Sequence, residues 1–154
     1  MLHVVLFQPE IPPNTGNIIR LCANAGAMLH LIHPLGFELS EARVKRAGLD
    51  YHDMACVREY PDLDAFYREQ WLLRMFTIST RADNCYANIK FADGDAFLFG
   101  PETRGLPQSL LESVPSDQRL RIPMRPHNRS LNLSNAVAVV LYEAWRQQEF
   151  AGGN

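Results

Sequence analysis

The chain has 154 residues, 47% hydrophobic and 21% charged, with a formal net charge of −2 and a pI near 6.2. That composition suits one domain with a sizeable core. It excludes a protein that coats nucleic acid through bulk positive charge, while leaving room for a local basic patch. No apolar run is long enough to span a bilayer, and the N-terminus MLHVVLFQPEIPP lacks a basic n-region and a cleavage site. Three cysteines (Cys22, Cys56, Cys85) are scattered, with no C-x-x-C pair, which argues for reduced thiols and against a disulfide frame or a zinc site. A soluble, cytoplasmic protein without a membrane segment is expected.

Leu2 to Phe7 is a continuous apolar run, the pattern of a strand buried on both faces of a parallel sheet. Gln8-Pro9-Glu10-Ile11-Pro12-Pro13 follows as a stiff connection that delays the first helix. Asn14 or Thr15 is expected to cap that helix, which carries Ile18, Ile19, Leu21 and Cys22 and stops at Gly26. Met28 to Ile32 reads as the second strand, and Ser40 starts a helix with a basic side (Arg43, Lys45, Arg46) that ends at Gly48. Met54 to Val57 reads as a short strand, Pro61 to Gln70 as an amphipathic helix, and Arg74 to Thr80 as a strand.

Asp95 to Gly100 is a further strand, leading through Pro101-Glu102-Thr103-Arg104-Gly105-Leu106-Pro107 into a short helix at Gln108 to Ser113. Leu120 to Ile122 is the last strand, cut off by Pro123. Ser130, Asn132 and Ser134 then crowd the start of a long helix, where small hydroxyl and amide side chains satisfy orphan N–H groups. Its body, Asn135 to Leu141, is apolar on almost every face, so it should be buried all round, partly by a second subunit. Short apolar strands alternating with helices indicate a single α/β domain over residues 1–154, with a mainly parallel sheet and helices on both faces.

Ligands of open parallel sheets bind beyond the carboxyl ends of the strands. Four such ends carry unusual loops: Asn14-Thr15-Gly16-Asn17-x-x-Arg20, the loop after Ser79-Thr80, Gly100-x-Glu102-x-Arg104-Gly105, and Ile122-Pro123-Met124 running into Ser130-Leu131-Asn132. Neither a G-x-G-x-x-G fingerprint nor a G-x-x-x-x-G-K-[ST] loop is present, which argues against a dinucleotide or P-loop enzyme. The five histidines have no metal-ligand spacing.

NTGNIIR, FGPETRGLP and IPMRPHNRSLNLSNAVAVVLYE resemble the three motifs of the SpoU branch of the SPOUT RNA 2′-O-methyltransferases. The opening LFQPEIPPNTGNIIRLCANAG narrows the likeness to the small enzymes that methylate the ribose of the tRNA anticodon wobble nucleotide, a cytidine or modified uridine at position 34. The resemblance spans nearly the whole chain, with the motifs in family order. It implies a trefoil knot near the C-terminus, a homodimer, a tRNA anticodon stem-loop as substrate, and S-adenosylmethionine (SAM) as methyl donor, with S-adenosylhomocysteine as product and no metal.

Carried over by position, the resemblance places the cofactor at Ile78, Gly100, Ile122, Ser130 and Leu131, and catalysis at Arg20, Ser130 and Asn132. Asn17, Glu102, Arg104, Arg129 and Asn135 are further candidates. The family often casts the arginine as the base that takes the ribose proton. A guanidinium with a pKa above ~12 cannot normally do that, so holding an RNA phosphate and stabilising a developing alkoxide suit it better. Taken alone, Glu102 is also a helix-dipole carboxylate, Ser130 and Asn132 are N-caps, and Arg43, Lys45 and Arg46 are a solvated helix face. Arg104, Arg125, His127 and Arg129 flank the cofactor loops and are candidates for phosphate contact. Two alternatives stand beside the wobble methyltransferase. One is a ribosomal RNA 2′-O-methyltransferase of the same branch, which would often carry an extra RNA-binding domain. The other is a non-catalytic RNA-binding or assembly protein of this fold.

Overall fold

The computed structural model describes residues 1–154. Its centre is a seven-stranded sheet in which every pairing is parallel. The strands are β1 (His3–Phe7), β2 (Met28–Ile32), β3 (Val57–Tyr60), β4 (Met75–Ile78), β5 (Asn84–Cys85), β6 (Ala96–Phe99) and β7 (Arg119–Arg121), in the order β3-β2-β1-β6-β4-β7-β5. β4 and β6 are buried at every position, which explains their unbroken apolar runs: helices cover both of their faces. One face carries α1 (Pro12–Ala25) and α6 (Leu133–Gln147), whose Ile18, Ile19, Cys22, Val137, Val140 and Leu141 join Val4, Leu6, Leu29 and Phe97 in the larger core. The other face carries α4 (Leu63–Glu69) and a smaller core around Phe66, Val5 and Leu98, closed by Leu106 from the loop after β6. Three short helices complete the chain: α2 (Glu41–Arg46), α3 (Tyr51–Met54) and α5 (Gln108–Glu112).

The expected strands at residues 2–7, 28–32, 74–80, 95–100 and 120–122 form, most of them trimmed by a residue or two at their ends. Three expectations fail for identifiable reasons. α1 begins at Pro12, before Asn14 and Thr15, which lie buried inside its first turn. Two prolines delay nothing there, because the first helical positions need no N–H; Asn14 and Thr15 donate theirs to the Ile11 carbonyl. Residues 51–54 form a helix, and the strand starts only at Val57, because Asp50 and Asp53 build a reciprocal capping box on each other's N–H groups at 2.8 and 3.0 Å. Finally, α6 is not buried on every side. Asn135, Val139 and Tyr142 face outward, whereas Val140 belongs to the chain's own core.

β7 lies between β4 and β5, although β5 follows β4 directly in sequence. The chain running from Ile78 to Asn84 therefore crosses the place that β7 fills some 35 residues later. The far end of α6 is tied to the segment after β5, since Gln147 accepts from Phe91 N at 2.8 Å and donates to Ile89 O at 3.0 Å.

A polar thread crosses the other end of the sheet. Gln70 Nε2 lies 3.3 Å from Tyr60 Oη, Tyr60 Oη 3.1 Å from His30 Nδ1, and His30 Nε2 2.9 Å from His3 Nδ1. One proton arrangement satisfies every link with neutral rings: Tyr60 donates to His30, and His30 donates to His3. Burial, then the neighbouring His3 and Arg58, push the His30 pKa down to about 4. Unfolded, the ring titrates near ~6.5, so between these values the unfolded chain binds the extra proton. The stabilisation is therefore complete above pH ~6.5 and is lost as pH falls toward 4, by about 2–3 kcal/mol. Urea unfolding of wild type and His30→Gln at a series of pH values should show a larger loss in the wild type, the variant keeping only the smaller contribution of His3, which burial also holds below its ordinary value.

Candidate active site

The carboxyl ends of β4, β6 and β7 open into a cleft of about 300 Å³. Ile78, Gly100 and Ile122 stand at the three strand ends, and Ser130 and Leu131 close the cleft from the segment that leads into α6. The structure thus brings all five residues assigned to the cofactor to one place. Leu133 and Ala136 of α6, with Met124, add an apolar wall.

Gly100 makes the cleft possible. After β6 the chain doubles back, with Gly105 N donating to Pro101 O at 2.9 Å, and a Cβ on Gly100 would lie 2.3 Å from Leu106 N and 2.4 Å from the Gly105 carbonyl carbon. No side chain fits against backbone at that range. The N–H groups of Leu106, Ile122 and Leu131, all in residues lining the cleft, have no acceptor within the chain. Leu106 is buried, and buried donors are nearly always paired, so its free N–H beside the open donors of Ile122 and Leu131 suits a ligand with a flat, hydrogen-bonding edge. The sequence pattern did not single out Arg81. Its Nη1 donates to Gln108 Oε1 at 2.7 Å and its Nη2 to the Leu106 carbonyl, bracing the doubled-back loop from the β4 side.

Glu102 lies in the same loop, but its carboxylate is occupied. It accepts from Glu10 N at 2.7 Å, Ile11 N at 3.1 Å and Asn14 Nδ2 at 3.4 Å. Asn14 Oδ1 accepts in turn from Asn132 Nδ2 at 2.9 Å. Asn132 is the N-cap of α6, its Oδ1 accepting from the N–H groups of Ser134 and Asn135 at 2.9 and 3.4 Å. A return contact comes from Glu10, which takes the N–H and hydroxyl of Thr103 at 3.0 and 2.7 Å. Those two donors hold the Glu10 carboxyl below the usual carboxylate range. Glu102, Asn14 and Asn132 thus tie together the starts of α1 and α6. Ser130 precedes the cap and is exposed at the cleft rather than capping.

Other candidates lie elsewhere. Arg104 lines the cleft at its rim, 3.5 Å from Gln8 Oε1. Arg125, His127 and Arg129 are exposed along the loop before α6 without lining the cleft, and Asn135 faces outward from the first turn of α6. Arg20 and Asn17 line a different cleft, beside the first turns of α1. There the Arg20 guanidinium donates to the Gly48 carbonyl and lies 3.6 Å from Asp53.

Residues 1–142 match the SpoU rRNA Methylase family. The chain belongs to that family. It is 59% identical to a tRNA (cytidine(34)-2′-O)-methyltransferase of Aeromonas hydrophila, over 99% of this chain and 97% of the relative. It is 60% identical to the enzyme of that name in Burkholderia cenocepacia, over 99% of both chains. A solved structure concerned with the 2-OH methylation of C/U34 on tRNA superposes with a TM-score of 0.88 at 47% identity, covering 97% of each chain. An AdoMet-bound rRNA methyltransferase from Sinorhizobium meliloti gives 0.81 at 26% identity, over 94% of this chain but 56% of its own. The strand-end cleft therefore occurs on a SpoU methylase fold.

In this SpoU methylase, Glu102→Ala would leave two N–H groups before α1 unpaired and leave the Asn14 side chain held by Asn132 alone. A loss of about 2 kcal/mol in chemical denaturation is expected. Unchanged stability would mean that the carboxylate is not bonded as described.

Proposed function

We propose that the protein is a tRNA 2′-O-methyltransferase that moves the methyl group of SAM to the ribose of nucleotide 34, a cytidine or modified uridine. The near full-length identity to enzymes of that name carries this reading, and the cleft supplies a place for the cofactor. The backbone at Gly100, Leu106 and Ile122 would hold the adenine and ribose edges, and Leu131, Leu133 and Met124 would shield the reacting end from water. When bound, SAM supplies a sulfonium-activated methyl carbon that the ribose oxygen can attack in one step, the O–C bond forming as the C–S bond breaks, with S-adenosylhomocysteine leaving and the hydroxyl proton passing to solvent or a nearby acceptor.

The chain's own contribution is positioning and electrostatics. Ser130 stands exposed at the cleft mouth, where it can meet the incoming ribose. Asn132 sets the position of that segment through the α6 cap. Arg20, reaching the RNA from the adjoining cleft, would hold a phosphate and favour the alkoxide. A homodimer acting in the cytoplasm on the anticodon stem-loop fits this role. The exposed Val139 and Tyr142, 37% and 40% accessible on the outer side of α6, offer an apolar stripe for the second subunit. Placement of β7 between β4 and β5 supports the threaded, trefoil-knotted C-terminus.

Radiolabelled SAM, purified protein and bulk tRNA, followed by nucleoside mapping, test the reading. Label on the wobble ribose is expected. Label confined to ribosomal RNA would move the enzyme to the other substrate class, and failure to bind SAM would leave only an RNA-binding protein. Arg20→Ala should abolish transfer while SAM affinity stays within about threefold of wild type. Gly100→Ala should lower SAM affinity at least about tenfold. Val139→Asp should shift the sedimentation coefficient toward a monomer, whereas an unchanged profile would place the subunit contact elsewhere.

A further inference from the structure

The second cleft, of about 330 Å³, opens beside the first turns of α1 and faces the segment from Phe37 to Leu49. Ile19, Leu39, Val44 and Leu49 make its floor apolar. Phe37 stands half-buried at its side and belongs to neither core cluster. Thr15 also lines it, 1% exposed, with a hydroxyl that has no partner in the chain. The rim is basic: Arg20 from α1 and Arg43 from α2 line the cleft, and Lys45 and Arg46 follow on α2, a helix with no buried residue. Glu38 and Asp53 offset part of this charge, Asp53 through its contact with Arg20. Even so, a chain of net charge −2 places two guanidinium groups on the lining of one apolar slot, with two more cations on the adjoining helix.

An aromatic side, an apolar floor, a buried free hydroxyl and a guanidinium rim match one chemical object, an unstacked nucleotide. Its flat base takes the slot, the hydroxyl reads a polar atom on its edge, and its phosphate meets the rim. The position agrees. Glu102, which lines the first cleft, bonds to Glu10 and Ile11, and the second cleft begins at Pro12. One RNA strand can therefore cross these few residues and occupy both clefts.

We propose that the second cleft binds a nucleotide adjoining the methylated one, its base against Phe37 and its phosphate on Arg43 and Arg20. This rests on the proposed function for the substrate being a single-stranded RNA loop. The test titrates anticodon stem-loop RNA into wild type, Phe37→Ala and Arg43→Glu by fluorescence anisotropy. SAM affinity, sedimentation and methyl transfer by the wild type are measured in parallel, together with stem-loops abasic at each loop position in turn. Phe37→Ala should weaken RNA binding about tenfold. Arg43→Glu should do likewise and flatten the salt dependence by about one counterion. SAM affinity should not move. One abasic position should reproduce the Phe37→Ala loss, and combining the two should add nothing.

RNA binding like wild type in both variants would overturn the proposal, as would additive losses at every abasic position. So would RNA loss accompanied by dissociation to monomers, which would hand the cleft to a second copy of the chain. Arg43 is exposed, so its variant remains decisive should Phe37→Ala fail to fold. Wild-type transfer with unaffected variants would sink this inference alone. Absence of transfer to any RNA would sink the functional reading, while the affinity comparison would still decide the cleft.

Discussion

The Glu102 carboxylate holds the functional end of the molecule together. α1 starts with two prolines and has no side-chain cap of its own. Pro12 and Pro13 remove two of the four orphan donors, and Asn14 and Thr15 turn back to the Ile11 carbonyl. The donors left over belong to Glu10 and Ile11, just outside the helix, and Glu102 takes both from a loop more than 90 residues away. The start of a 14-residue helix also favours a negative charge at that point. Through Asn14 the same carboxylate reaches Asn132, so one acidic group fixes the entry to α1, the loop after β6 and the entry to α6.

That arrangement explains why polar residues gather where the central strands β4 and β6 end. β4 and β6 bury every position, so their backbone and side chains have no spare surface for chemistry. Recognition is confined to the points where the strands end and the chain must turn. At the end of β6 the turn is so tight that only glycine fits, and Arg81 holds its far side in place. A cleft built from rigid strand ends and one doubled-back loop changes little in shape when a ligand enters, which suits a reaction driven by positioning.

Most of this was legible in the sequence where one physical rule acts alone. The apolar runs of β2 and β6 and the left-handed Gly26 that ends α1 at φ 66° follow from local pattern, whereas Ile78, Gly100 and Ile122 were joined into one site by the family resemblance, with which the rule about strand ends agrees. The failures came where a tertiary partner decided. Nothing near Asn14 announces Glu102, and the two residues of β5 form a strand only because β7 lies beside them. The apolar stretch of α6 could not tell Val139 from Val140, since which one faces out depends on where α1 packs. Arg20 shows the limit of motif spacing: its position was clear, yet the cleft it lines is not the one that gathers Ile78, Gly100, Ile122, Ser130 and Leu131.

The charge distribution explains how an acidic protein can serve an RNA substrate. Several arginines are consumed internally. Arg74 makes two short bonds to the buried Asp95, Arg81 braces the cleft loop, Arg119 holds the Val114 and Glu112 carbonyls, and Arg146 pairs with Glu143. Arg43, Lys45, Arg46, Arg125 and Arg129 form no ion pair. Three of these lie on α2 beside the second cleft, and two in the loop that runs from Met124 to Ser130 at the mouth of the first. Cations concentrated beside both clefts can attract a phosphate backbone there, and the net charge of the whole molecule is a poor guide to that local attraction.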